Sequence, residues 1–343
     1  MSVRGWRTPL RGTGSRPEAD EPGPSPFPVS PSWLLRAACS SLLTLTAVGL
    51  LAGCGLGAGN APSGVNLTVS SEFGTNVLRQ SSAPHVQGSE TVMSLLMRND
   101  AVSTRYGGGF VQSILGHAGG QREGQPIDWF YYVNGIEAPK GAADTVVHAG
   151  DRIWWDLHDW SQTEVVPAVV GSFPEPFLHG TEGKRLPVRV ECAEVQGSAC
   201  RTATTRLRAL DVPAAISTVV PGDAPDTLRV LVGPWSAVAN DPAAQNIARG
   251  PGASGVYVHI SANGGSFSLL DANGHTARTL TAGAGLIAAT RYSEGGPVWV
   301  ITGTDAAGVT AAANGFDQAT LRNRFAVAFV GPGMALAVPQ PSP

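Results

Sequence analysis

Two aromatic stretches decide how this chain is read: Asp128-Trp129-Phe130-Tyr131-Tyr132-Val133-Asn134-Gly135 and Gly150-Asp151-Arg152-Ile153-Trp154-Trp155-Asp156. Only 7% of the chain is aromatic, so this concentration marks a place where bulk is needed. β-Forming aromatics run into an Asn-Gly turn signal, and a Gly-Asp turn starts a second aromatic strand. Alternation puts Trp129, Tyr131 and Val133 on one face of the first strand, with Phe130 and Tyr132 on the other. In the second strand Ile153, Trp155 and Leu157 form an apolar set. Trp154, Asp156, His158 and Trp160 share the opposite, mixed face. Read as solvent-facing, that mixed face suits stacking on a planar ligand or a sugar, with Trp129, Tyr131 and Asn134 as further contacts. Read as packing, the same aromatics fill a small core or cover a domain interface.

Working outward, Val65 to Ser70 alternates as a short strand, and Ser89-Glu90 precedes a helical stripe of Val92, Leu95 and Leu96. Phe110 to Gly116 reads as another strand. The order strand, helix, strand, strand, strand predicts a small α+β unit over residues 65–160. Residues 161–183, with Pro167, Pro174 and Pro176, read as a Pro-rich linker.

Beyond it, residues 184–330 predict an α/β mixed-sheet domain. Strands are expected near 187–191, 227–233, 256–260, 286–290, 298–302 and 325–329. Helices are expected over 202–210, 236–247 and 304–315, with 317–322 continuing helically and a hairpin at Asp271-Ala272-Asn273-Gly274. Residues 331–343 read as a disordered tail.

The amino-terminal segment carries an address. Residues 1–31 are rich in Pro, Gly and Ser and read as disordered. Arg36 then precedes an apolar run from Ala37 to Leu51 that ends Leu51-Ala52-Gly53-Cys54. The run is short for a membrane span and right for a secretory h-region. Its ending resembles the lipobox of bacterial lipoproteins. That resemblance implies acylation, palmitate included, of Cys54 and a protein held by lipid on the extracytoplasmic face of the cell membrane. Residues 1–53 would then be n-region and signal peptide, and 54–64 a flexible tether.

Composition narrows the rest. The 23 basic residues include only Lys140 and Lys184 as lysines, a high-GC, actinobacteria-like bias. The formal net charge of −3 offers no basic footprint for nucleic acid. Cys192 and Cys200 read as a disulfide in an oxidising compartment.

The spacing of His117, His148 and His158-Asp159 matches no metal motif. Gly250 to Gly255 lacks the Lys-Ser/Thr of a phosphate loop, and Ser254 lacks the flanks of a nucleophile elbow. Asp305 at Gly303-Thr304-Asp305 reads as a helix cap. No Ser-His-Asp or paired-carboxylate set stands out, so no enzyme and no resident cofactor is expected.

The helix Thr91 to Leu96, the strand Phe110 to Gly116, Trp129 to Gly135 and Gly150 to Ile153 occur in one order. Together they resemble the C-terminal β-domain of transcobalamin and intrinsic factor, and the related bacterial domain of unknown function. The resemblance implies a β-grasp-like fold for residues 65–160. The animal relatives add a large helical barrel and hold cobalamin between the two parts; no barrel pattern is present here. Two functions remain open. One is a membrane-anchored protein binding a small ligand, a cobalamin-type molecule among the candidates, or serving a transporter that takes it up. The alternative is an envelope interaction lipoprotein that binds polysaccharide or protein.

Overall fold

The computed structural model describes residues 59–341 apart from 223, 293 and 294. The expected n-region and signal peptide, Cys54 and the start of the tether lie outside the described residues. Among these residues the fold is mixed α and β, mostly strands in four sheets with few helices.

The first sheet holds the aromatic stretches. Its strands are β1 (Asn66–Ser71), β2 (Asn76–Ser81), β6 (Gly120–Arg122), β7 (Gln125–Val133), β8 (Ile136–Glu137) and β9 (Arg152–Asp159), in the order β2-β1-β9-β7-β6 with β8 beside β7. β9 pairs parallel with β1 and antiparallel with β7, so it lies at the centre.

Helix α1 (Val92–Asn99) covers one face. Thr91 caps it, with Ser94 reciprocating, and Val92, Met93, Leu95 and Leu96 are buried. They pack with Leu67, Val69, Trp129, Ile153, Trp155 and Leu157 in one core. The strand expected at 110–116 does form as β4 (Phe110–Ile114), but it belongs to a separate small sheet with β3 (Val102–Arg105) and β5 (His117–Ala118).

The second part is built on a seven-stranded mixed sheet of β10 (Val188–Cys192), β11 (Ala214–Thr218), β12 (Leu228–Pro234), β16 (Ala284–Arg291), β17 (Pro297–Gly303), β18 (Ala326–Val330) and β19 (Ala335–Val338). The order is β11-β10-β12-β17-β16-β18-β19, parallel from β11 to β17 and antiparallel from β17 to β19. On one face lie α2 (Ser198–Arg208) and α6 (Ala306–Asn314), followed by α7 (Gln318–Leu321). Toward the other lie α3 (Trp235–Val238), α4 (Pro242–Ala248) and α5 (Pro251–Ser254), with the hairpin sheet β13 (Val258–Ile260), β14 (Phe267–Leu270) and β15 (Thr276–Leu280). A disulfide joins Cys192 at the end of β10 to Cys200 in α2.

Three expectations need correction. The helix expected over 236–247 is two helices, because Asp241 caps a new start and Pro242 takes its first position. The tail at 331–343 is not free, since β19 adds an edge strand to β18. The supposed linker is packed: Val166, Ala168, Val169, Val170, Phe173 and Phe177 are buried. Its backbone joins both parts, with Val169 N donating to Gly135 O and Val170 N donating to Phe325 O. Prolines there shape a connector whose apolar residues belong to the interior.

Candidate functional site

The sequence leaves the face of β9 carrying Trp154, Asp156 and His158 open to two readings, a solvent-facing contact surface and a packed one. It is covered: the three residues are 3%, 0% and 2% exposed. Phe325, at the start of β18, meets Trp154 at 5.3 Å and His158 at 5.3 Å between ring centroids, both nearly perpendicular. Phe73 packs against Tyr257 as well. Of the two readings open at the sequence level, covering an interface is the arrangement adopted.

Burying a carboxylate demands donors, and Asp156 has four. The Ser70 hydroxyl lies 2.5 Å from Oδ2, and Gly74 N donates to the same oxygen at 2.8 Å. Phe73 N donates to Oδ1 at 3.0 Å, and His158 Nδ1 lies 2.9 Å from it. Ser70 Oγ in turn accepts from Trp154 Nε1 at 2.6 Å.

The two backbone donors come from the β1–β2 turn. Glu72 and Phe73 both adopt φ of 56°, and Gly74 follows at φ 81°. A Cβ on Gly74 would collide with the Asn323 carbonyl and the Trp154 ring, so this position requires glycine. The His158 ring is held from both sides, by Phe130 at 4.5 Å and Phe73 at 4.6 Å. Nδ1 faces Asp156, and Nε2 carries no hydrogen bond among the described residues.

The covered face opens at both ends. At one end His158, Phe73 and Asp159 border a cavity of about 670 Å³ that Arg122, His275 and Gln340 also line. At the other end Arg152 and Trp154 border a cavity of about 390 Å³.

The remaining expected site residues go elsewhere. Trp129 is buried in the α1 core, its Nε1 donating to His117 O at 3.1 Å. Tyr131 stacks on Trp155 and bonds to Thr145. Asn134, fully buried at φ 55°, donates to Asp151 and to Gly180 O and accepts from Arg152 N, so it pins the turn. Trp160 is half-buried, and its Nε1 has no partner among the described residues.

What sequence reasoning missed is Ser70, Phe73, Gly74 and Phe325. Only the Glu72-Phe73-Gly74 turn left a local mark, and its partner lies more than eighty residues away.

Glu137 offers a contrast on the same side of the sheet. Burial pushes its carboxyl up to about 7, opposed only by the Val166 N–H. It lies opposite Tyr132 across β7 and β8; burial also raises the Tyr132 phenol, whose hydroxyl has no hydrogen-bond partner among the described residues. Among the described residues no cluster of three His, Cys, Asp or Glu could hold a metal ion.

Residues 89–159 match the family model described as Domain of unknown function (DUF4430), a transcobalamin-like domain family. The match runs from two residues before the Thr91 cap of α1 to the last residue of β9, so it takes in Asp156 and His158 but not Ser70, Phe73 or Gly74. A search of curated proteins finds no match to this chain.

Proposed function

We propose that this chain is a lipid-anchored, extracytoplasmic binding protein that takes up a small ligand beside His158, with a cobalamin-type molecule as the leading candidate. The observation that carries the reading is the buried Asp156–His158 pair at the edge of the 670 Å³ cavity. A carboxylate on Nδ1 fixes a histidine ring and its tautomer and leaves Nε2 with the lone pair. Such a nitrogen suits a metal centre carried by the ligand or a ligand hydroxyl.

The volume lies in the range of small-molecule pockets. A whole cobalamin is larger, so part of it would enter and the rest would remain outside. The transcobalamin-like match supports this ligand class, and the protein would serve its capture or hand it to a transporter. The Cys192–Cys200 disulfide supports an oxidising compartment, in keeping with Leu51-Ala52-Gly53-Cys54.

The reading is of a binder rather than an enzyme. Ser70 and His158 both contact Asp156 and not each other, so the imidazole does not stand beside the hydroxyl as a serine–histidine nucleophile pair would require. The envelope-interaction alternative loses its open aromatic face, since Trp154 and His158 are buried.

Titrating the full-length protein with aquocobalamin and cyanocobalamin, read by calorimetry and by visible absorption, tests the ligand. Binding with a spectral shift that His158→Gln abolishes, while circular dichroism stays unchanged, is the expected result. No heat and no spectral change with either compound would sink the ligand; undiminished binding by the variant would sink the site. For the anchor, Cys54→Ser is expected to leave the membrane fraction, and unchanged partitioning would refute it.

A further inference from the structure

The cavity at the Arg152 end of β9 has a different chemistry from the one at His158. Its walls carry hydrogen-bonding side chains, among them Thr68, Gln80, Ser172 and Gln318, and its charged members are Arg152 and Arg322. Among the described residues no carboxylate lines it.

Arg152 donates one N–H to Phe173 O at 2.9 Å, and neither it nor Arg322 makes an ion pair among the described residues. The acidic group that acts on Arg152 is Glu175, which is already engaged by the backbone N–H and imidazole of His179. Burial holds the Arg152 guanidinium below its usual value; Glu175 opposes the shift and Arg322 adds to it. Positive charge thus collects here in a chain whose formal net charge is −3.

A guanidinium withdrawn from water without a counter-charge is costly, and an oxyanion held in two-point contact relieves that cost. The volume of about 390 Å³ accommodates a small polar molecule. We propose that this cavity binds a small oxyanion-bearing ligand of the size and polarity of a phosphorylated or carboxylated sugar. Arg152 and Arg322 hold the anion, and Thr68, Gln80, Ser172 and Gln318 meet the hydroxyls. The site is separate from the cavity at His158 and does not depend on the ligand assigned there.

The test titrates the full-length protein with glucose 6-phosphate, glucuronate, inorganic phosphate and neutral glucose by calorimetry. At least one charged sugar is expected to bind and glucose is not; competition by inorganic phosphate identifies the phosphate arm. Arg322→Gln is the decisive variant, because its exposed side chain has no internal partner to lose. It is expected to weaken the charged sugar about tenfold or more, with Arg322→Lys intermediate and His158→Gln unchanged. The proposal is overturned if no charged probe binds, if glucose binds as well as the charged sugars, or if Arg322→Gln leaves their affinity unaltered.

Discussion

Along β9, Ile153, Trp155 and Leu157 turn toward α1, while Trp154, Asp156 and His158 turn toward Phe73 and Phe325, and all six are at most 3% exposed. On the first face the contacts are apolar, and the one polar atom, Trp155 Nε1, has no partner among the described residues. On the second, the indole, the carboxylate and Nδ1 of the imidazole all find hydrogen bonds. Equal burial therefore conceals unequal demands. An apolar face asks for volume, and a range of side chains supplies it. A buried polar face asks for each donor to meet its acceptor, and a single wrong atom leaves several groups unpaired.

Two shape-conserving substitutions on adjacent residues should separate the faces most widely. Asp156→Asn turns one of the two acceptor oxygens into an NH2 group, set against either Ser70 and Gly74 or Phe73 and His158, and is expected to cost about 2–4 kcal/mol. Leu157→Met should cost less than about 1.5 kcal/mol. Urea unfolding of both variants measures the gap, and equal losses would end the distinction.

A second comparison sets Asp156 against Glu137, one carboxylate with four donors and the other with a single backbone N–H. The folded-state value of Glu137, about 7, lies above its ordinary 4.5. Its contribution is therefore fully present below pH 4.5 and is lost as pH rises through 7. Between about pH 5 and about pH 8 the wild type should lose roughly 2 kcal/mol, reduced from the full linkage value by the partial exposure of the side chain. Glu137→Gln should flatten that slope; a slope unchanged in the variant would assign it to another group.

The smallest effect is expected from Trp154→Phe. It keeps an aromatic ring against Phe325 and deletes one hydrogen bond to Ser70, for about 1 kcal/mol. Thermal unfolding is sufficient to see it.

Much of this architecture was legible from local pattern. The stripe Val92, Leu95, Leu96 and the alternation of 129–133 and 153–157 carry their periods in a few residues, and most strands of the second part read equally well, β11 and β19 excepted. What covers a face is not a local property. The pairing of Phe73 and Phe325 with Trp154 and His158 spans most of the chain, so the alternation revealed two faces of β9 without revealing that both were inside. The connector was misread because its prolines drew attention from Val166, Val169, Val170, Phe173 and Phe177. The strands β5 and β6 are too short for any period to register.

The placement of β9 between β1 and β7 also sets where the chain can be cut. The family match begins at residue 89, but the strand hydrogen-bonded along the other side of β9 is β1, which ends at Ser71. A fragment made to the matched boundaries would leave β9 as an open edge, with the Trp154 and His158 side stripped of its cover. Such an edge recruits further strands, so that fragment should self-associate at concentrations where the full-length protein remains dispersed.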